Sequence, residues 1–303
     1  MPRRFLLVFG LLLAACKSSE PEEVVPEDTS AVEVVVPLPR AAELPPGKLL
    51  RTSREADFES MRPDLVEADL VYVNLADDLP GGDLLPQTLL DQLFDHGRLH
   101  AIGLQIFDRT HQEALTEFSF ARIDLDQLVE RTGVVVGAYR PILEYAAERR
   151  LPLIALDLDR DLVAILQESG FKGLNEEQRR SISPATLRNP GFADALRRHL
   201  KRKREGAPSD AEFQRALLAA DLRYETMADA IVRWRRAAPD DAQILVVTDR
   251  FAIGDRVGLP DRVRRRMGRK SVTLLQIAAS EENDRSHNLA YADYVWLLPG
   301  KNE

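Results

Sequence analysis

Apolar residues fall along the chain in two alternating rhythms. Short runs bounded by polar residues, at Leu70 to Asn74, Ala101 to Phe107, Leu151 to Leu158, Ile244 to Thr248, Ser271 to Ile277 and the late ADYVWLL, predict buried strands. Helical patterns lie between them, over Leu84 to Phe94, Tyr139 to Arg149 and a long segment from near Ala211. The long segment sets Phe213, Leu217, Ala220, Tyr224, Met227, Ile231 and Trp234 at alternating intervals of four and three, which puts all seven on one helix stripe. A cofactor can lie along such a stripe, but a core-facing helix is the commoner cause. Strands alternating with helices predict an α/β fold with a largely parallel sheet flanked by helices.

Both rhythms are missing before residue 48. The first sixteen residues, MPRRFLLVFGLLLAAC, place Arg3 and Arg4 before an apolar run from Phe5 to Ala15. That run is too short to span a bilayer comfortably and reads as a secretory signal. Its end, Leu13-Ala14-Ala15-Cys16, resembles the lipobox of bacterial lipoproteins. The resemblance implies cleavage before Cys16 and acylation of that residue, which anchors a soluble domain to a lipid bilayer. Lys17, rather than aspartate, follows the cysteine, which favours an outer-membrane address in the bacterial envelope. From Lys17 to Gly47 come six prolines and seven acidic residues with no period, the composition of an extended tether. The expected organisation is a signal at 1–15, a lipidated cysteine and linker at 16–47, and one globular domain at 48–303.

Composition narrows the chemistry. The chain is 45% hydrophobic and 30% charged, as globular proteins are, and loss of Arg3 and Arg4 with the signal takes its net charge from −8 to −10. No nucleic-acid partner is expected at that charge. The basic stretches RRHLKRKRE and RVRRRMGRK suit the ends of solvated helices. Cys16 is the sole cysteine, so the domain has no disulfide, thiolate metal site or cysteine nucleophile.

Candidate chemistry is sparse. His96 and His100 stand four apart, as helix-borne zinc ligands would, but Gly97 between them is expected to end the helix. His111, His199 and His287 lack partners of metal-site type, and no nucleophile elbow or phosphate-cradling glycine loop is present. Acidic residues at the strand ends stand out instead: Asp77-Asp78, Asp108-Arg109, Asp157, Asp159-Arg160 and Asp249-Arg250. In a parallel sheet these ends converge on one rim, where carboxylates can hold a hard cation. Because three of the ends carry arginine beside aspartate, mutual neutralisation in an ion-pair network is the favoured reading, and no metal is expected.

Four segments in order, GLQIFDRTHQEALTEF, YRPILEYAAERRLPLIALDLDRDL, RYETMADAI and GLPDRVRRRMG, resemble the ChaN-like haem-binding uptake lipoproteins of the Tiki superfamily. The correspondence covers about Glu67 to Ile277. It implies an α/β fold, an envelope location and a link to haem or iron uptake; the superfamily also contains metal-dependent hydrolases. The match fails where the family keeps its chemistry. A Gly-Glu-x-His motif falls on Asn74, Leu75, Ala76 and Asp77, a strand-end glutamate on Gln105, and the histidine of a later Gly-x-Gly-His on Ala252. Leucine and alanine neither ligate a metal nor move a proton, and glutamine does not titrate; Asp77 alone keeps a ligand-capable group.

The expected function is therefore that of a non-catalytic, membrane-tethered ligand-binding protein related to haem or iron uptake, with a homodimer or another envelope protein as a possible partner. Haem would need an axial tyrosine or histidine; Tyr139, Tyr145 and Tyr224 lie in matched segments but also suit core packing. The alternatives are a metal-dependent hydrolase with a rebuilt acidic site around Asp77, Asp108, Asp157 and Asp249, and a structural envelope component.

Overall fold

The computed structural model describes residues 46–51, 54–183, 189–203, 208–254, 257–284 and 292–300. Cys16, the signal and residues 17–45 of the tether lie outside the described residues, as does His287. No helix among the described residues is long and apolar enough to cross a membrane.

Eight strands form one sheet: β1 (Lys48–Arg51), β2 (Arg54–Ala56), β3 (Leu70–Asn74), β4 (Leu99–Asp108), β5 (Leu153–Asp157), β6 (Gln243–Thr248), β7 (Ser271–Ala278) and β8 (Tyr294–Leu298). Their order is β2-β1-β8-β7-β3-β6-β4-β5. The last six in that order are parallel, and β1 joins β8 antiparallel. Helices cover both faces. On one side α1 (Phe58–Glu67), α2 (Leu84–Asp95), α3 (Gln112–Ser119), α4 (Leu125–Thr132) and α5 (Arg140–Glu148) join one core with Val71, Val73, Leu104, Leu245 and Val247. On the other, α8 (Pro190–Lys203), α9 (Asp210–Ala237) and α11 (Leu259–Met267) pack on Leu70, Tyr72, Ile244 and Val246, while α6 (Arg160–Ser169), followed by the short α7 (Glu176–Ser181), packs on α9. With helices on both sides every residue of β3 is buried, which explains its unbroken apolar run.

The long helix forms as its pattern requires. Ser209 and Glu212 make a reciprocal cap at the start of α9. Phe213, Leu217, Tyr224, Met227 and Ile231 are buried, with Ala220 and Trp234 at the margin of the core. Arg262 of α11 ties the two helices together. It is 2% exposed, donates to Asp221 at 2.7 Å, approaches Glu225 at 3.2 Å and lies 4.4 Å from the centre of the Phe192 ring.

Some expectations change. The hairpin of β1 and β2 was not legible, because Leu49 and Leu50 are its only large apolar residues; they find their partners in Trp296 and Val295, far along the chain. The strand expected over Leu151 to Leu158 is confined to Leu153–Asp157. As expected, the helix ends between the two histidines: His96 caps α2, Gly97 takes φ +69°, and His100 lies on β4. The basic stretch of α11 is ion-paired within the fold: Arg264 and Arg265 to Asp261, Arg266 to Glu225, Lys270 to Glu67.

Candidate functional site

The strands β3 and β6 are neighbours, but the chain leaves their ends on opposite faces of the sheet, toward α2 and toward α10 (Arg250–Ile253). In open parallel sheets the crevice beyond such a pair is where ligands bind. Here that crevice is a cleft of about 550 Å³, whose wall includes Leu75, Asp77, Asp78, His199, Tyr224 and Phe251. A smaller cleft of about 310 Å³ adjoins it and includes Gln105, Tyr139, Asp157 and Arg160. Arg223 and Asp249 belong to both walls.

The loop after β3 is folded tightly on itself. Leu79 N–H donates to Ala76 O at 2.9 Å and Gly82 N–H to Leu79 O at 3.1 Å. A Cβ on Gly82 would stand 2.0 Å from Ala76 O, so only glycine fits. Gln276 of β7 fastens both ends of the loop. Its Nε2 donates to Asn74 O at 2.6 Å and to Gly82 O at 2.9 Å, while its backbone N–H donates to Asn74 Oδ1 at 2.6 Å. Asn74 is thus a buried clamp, and Asp77 and Asp78 are left exposed at the mouth of the cleft.

The other positions where the family motifs fail are equally committed. Gln105, 4% exposed, accepts from Asp249 N–H at 2.8 Å and donates to Asp249 Oδ2 at 2.7 Å. An amide serves both roles, whereas an ionised carboxylate can only accept. Ala252 is fully buried in α10 and donates its N–H to Asp249 Oδ1 at 2.8 Å.

The aspartate–arginine pairs do not neutralise each other, contrary to expectation. Each aspartate caps the turn that follows it: Asp108 accepts from Thr110 N–H, Asp159 from Asp161 and Leu162 N–H, Asp249 from Ala252 N–H. The capping geometry turns the neighbouring arginine elsewhere. Arg109 reaches Asp229 at 3.7 Å, and Arg250 grips Glu281 at 2.7 and 2.9 Å. Arg160 lies on the wall of the smaller cleft, whereas Asp108 is buried in its turn and is not part of either wall.

The cation that joins the strand ends is Arg223 of α9, a residue outside the strand-end motifs of the sequence. It forks onto Asp157 at 2.6 and 2.5 Å and lies 3.9 Å from Asp249. Burial pushes the Asp157 carboxyl upward against the pull of Arg223; burial would lower Arg223, but its bonds to Asp157 outweigh that and hold it above its ordinary value. A signal for it existed: Arg223 directly precedes Tyr224, on the flank of a stripe that faces the sheet.

Of the three tyrosines, Tyr139 and Tyr224 reach the clefts and Tyr145 does not; it packs between Phe94 and Arg149 on the α2–α5 side. Burial keeps the Tyr139 and Tyr224 hydroxyls protonated well above their ordinary range, with Asp249 next in effect at each. His199 has no metal-type partner in the sequence, yet its half-buried ring forms part of the larger cleft, 4.4 Å from the Phe251 ring centre. Among the described residues no three His, Cys, Asp or Glu side chains are grouped to hold a metal ion.

Comparison with known proteins agrees with this architecture. ChaN of Campylobacter jejuni, whose structure is described as showing cofacial haem binding, superposes with a TM-score of 0.64 at 14% identity, over 84% of this chain and 97% of that one. Protein RETICULATA-RELATED 5, a chloroplastic protein of Arabidopsis thaliana, is 24% identical over 251 residues, covering 77% of this chain and 34% of that protein. The chain therefore spans about a third of that relative. The family described as haem-binding uptake, Tiki superfamily, ChaN, matches residues 61–263. Since that match takes in most of the chain, the protein belongs to the ChaN family of the Tiki superfamily.

Proposed function

We propose that the protein is a lipid-anchored envelope lipoprotein that binds haem without catalysing a reaction, in the service of haem or iron uptake. Family membership supplies the ligand class. The observation that carries the non-catalytic reading is the state of the motif positions: Asn74, Gln105 and Ala252 are each buried and hydrogen-bonded into the fold, and Leu75 presents a hydrocarbon to the cleft. None of these four moves a proton; of the motif positions Asp77 alone keeps an ionisable group, exposed at the mouth of the cleft. The two most buried aspartates near the clefts, Asp108 and Asp157, are taken by a turn and by Arg223, which argues against a rebuilt acidic metal site.

His199 is the side chain placed to ligate haem iron. It shares the 550 Å³ cleft with Tyr224, Phe251 and Leu75, and an imidazole can ligate through one nitrogen while the other is held by the protein. Anchoring through Cys16 places this domain at the outer membrane, and a cofacial arrangement like that described for ChaN of Campylobacter jejuni would bring in a second copy of the chain.

Haemin titration of the full chain, followed by absorbance, tests this function. A saturable Soret shift at one haem per chain or fewer is expected, with no stoichiometric metal other than haem iron in elemental analysis of the purified protein. A stoichiometric divalent metal with no haem binding would replace this reading with the hydrolase.

A further inference from the structure

A second cationic site lies away from the switch-point cleft. Asp229 of α9 faces three guanidinium groups: Arg233 at 2.6 Å, Arg266 at 3.6 Å and Arg109 at 3.7 Å. Arg266 has a second counter-charge in Glu225, but Glu225 also serves Arg262. Arg109 and Arg233 are left to share one carboxylate, and the Arg109 guanidinium makes no hydrogen bond among the described residues although its side chain is only 31% exposed. Burial, with Arg233 next, lowers Arg109 from its ordinary value, and Asp229 only partly opposes this. A half-buried guanidinium with unused donors favours an anion held by both arginines.

The walls around this pair are apolar. Arg109 and Arg233 border a groove of about 350 Å³ whose other sides include Ile154, Trp234 and Phe120, the last 45% exposed. The groove follows the edge strand β5, yet that edge is already closed. Gln112 accepts from Ala155 N–H and donates to Leu153 O, both at 2.9 Å, while Ser119 Oγ accepts from Leu153 N–H at 3.2 Å. An added peptide strand would find these groups taken, which removes the main source of affinity for strand addition. On the adjoining side the acidic neighbours are also engaged, Asp157 by Arg223 and Asp159 by the backbone at the start of α6 (Arg160–Ser169).

We infer that the groove between Arg109, Arg233, Trp234 and Phe120 binds a small amphiphile, with a carboxylate or phosphate head on the arginines and an apolar body along the aromatic walls. The site is separate from the haem cleft.

Tryptophan fluorescence of the full chain tests it, with sodium decanoate, decyl phosphate and decanol as probes below their aggregation limits. Trp234 lies in the groove and Trp296 lies on β8, so Trp234→Phe assigns the signal. Decanoate and decyl phosphate should each give a saturable change, the stronger naming the head group, and neutral decanol should bind at least about tenfold more weakly. Arg109→Gln and Arg233→Gln should each weaken decanoate by about tenfold or more. The Arg109 substitution leaves Asp229 paired to Arg233, so the fold persists, as circular dichroism will verify. Equal affinity for decanol, wild-type affinity in Arg109→Gln, or no saturable change overturns the inference. Haemin titration of Arg109→Gln should match wild type, so failure of this site and failure of haem binding are read separately.

Discussion

Arg223 and Asp157 meet edge to edge, Nε to Oδ1 at 2.6 Å and Nη2 to Oδ2 at 2.5 Å, across 66 residues of chain. The arginine comes from a helix on one face of the sheet and the aspartate from the tip of β5. A planar fork on a carboxylate is the strongest of the neutralising geometries. It occupies a carboxylate that an acidic metal site at these strand tips would need. From Arg223 the connection passes to Asp249 and then to Gln105, so the tips of β4, β5 and β6 are joined by one polar chain.

Breaking that fork should cost more than any other surface change near the cleft. In Arg223→Gln the buried Asp157 carboxylate loses its partner, and a loss of about 3 kcal/mol is expected at neutral pH. Burial already raises Asp157 above its ordinary value, and removing Arg223 raises it further. A raised folded-state value means that stability is present at low pH and lost as pH rises through that value. The variant should therefore lie closer to wild type at acid pH than at pH 8. Urea unfolding at several pH values measures this; a deficit that grows on acidification would refute it.

How much of this was legible depended on distance along the chain. Apolar runs and the α9 stripe mark six strands and three helices because they repeat locally. The β1 and β2 hairpin draws its burial from Trp296 and Val295, so no local pattern announced it. Aspartates at strand ends are visible in the sequence, but their arginine neighbours mislead. Asp249-Arg250 in a sequence looks like an ion pair, whereas a capping aspartate turns into its own helix and sends the next side chain away, here to Glu281. Arg223 and His199 approach the strand tips only through packing of α8 and α9, which spacing in the sequence does not encode.

That distinction makes a comparison between two arginines informative. Arg250 and Glu281 are each more than a third exposed, so Arg250→Ala should change stability by less than about 1 kcal/mol. The same chemical unfolding assay, run beside Arg223→Gln, measures both. Equal losses in the two variants would mean that burial does not set the ranking.

Gln105 offers a test of the motif replacement itself. Its Nε2 donates to Asp249 Oδ2 at 2.7 Å, so Gln105→Glu sets a carboxylate against a carboxylate in a site 4% exposed. Stability should fall by about 1–3 kcal/mol at pH 8. The introduced carboxyl takes up a proton more readily in the folded chain than in the unfolded one, and once protonated it donates as the amide did. The loss should therefore shrink toward pH 5. Thermal melts at both values decide it; a variant as stable as wild type at pH 8 would mean that this bond is not made.

The proposed membrane attachment rests on one residue. Cys16→Ser should leave the domain soluble after cell fractionation, or leave its signal uncut, because acylation of that thiol is the anchor implied by the Ala-Ala-Cys sequence. Normal processing with full membrane retention in this variant would show a different anchor.

The choice of axial ligand separates two side chains in adjacent clefts. Tyrosine ligates ferric haem as phenolate, but burial holds the Tyr139 proton, and the carboxylates of Asp249, Asp77 and Asp157 hold it further against the opposing Arg223. Tyr224 is 2% exposed, and Tyr145 lies outside both clefts. The imidazole of His199 stands half-buried on the wall of the larger cleft beside Phe251, and a neutral imidazole ligates iron without giving up a proton. In haemin titrations of the full chain at pH 7, His199→Ala should therefore abolish the Soret shift, or weaken binding about tenfold or more, while Tyr139→Phe leaves it unchanged. If Tyr139→Phe abolishes the shift and His199→Ala does not, the phenolate is the ligand despite its surroundings, and the haem iron lies in the smaller cleft beside Asp157 and Arg223.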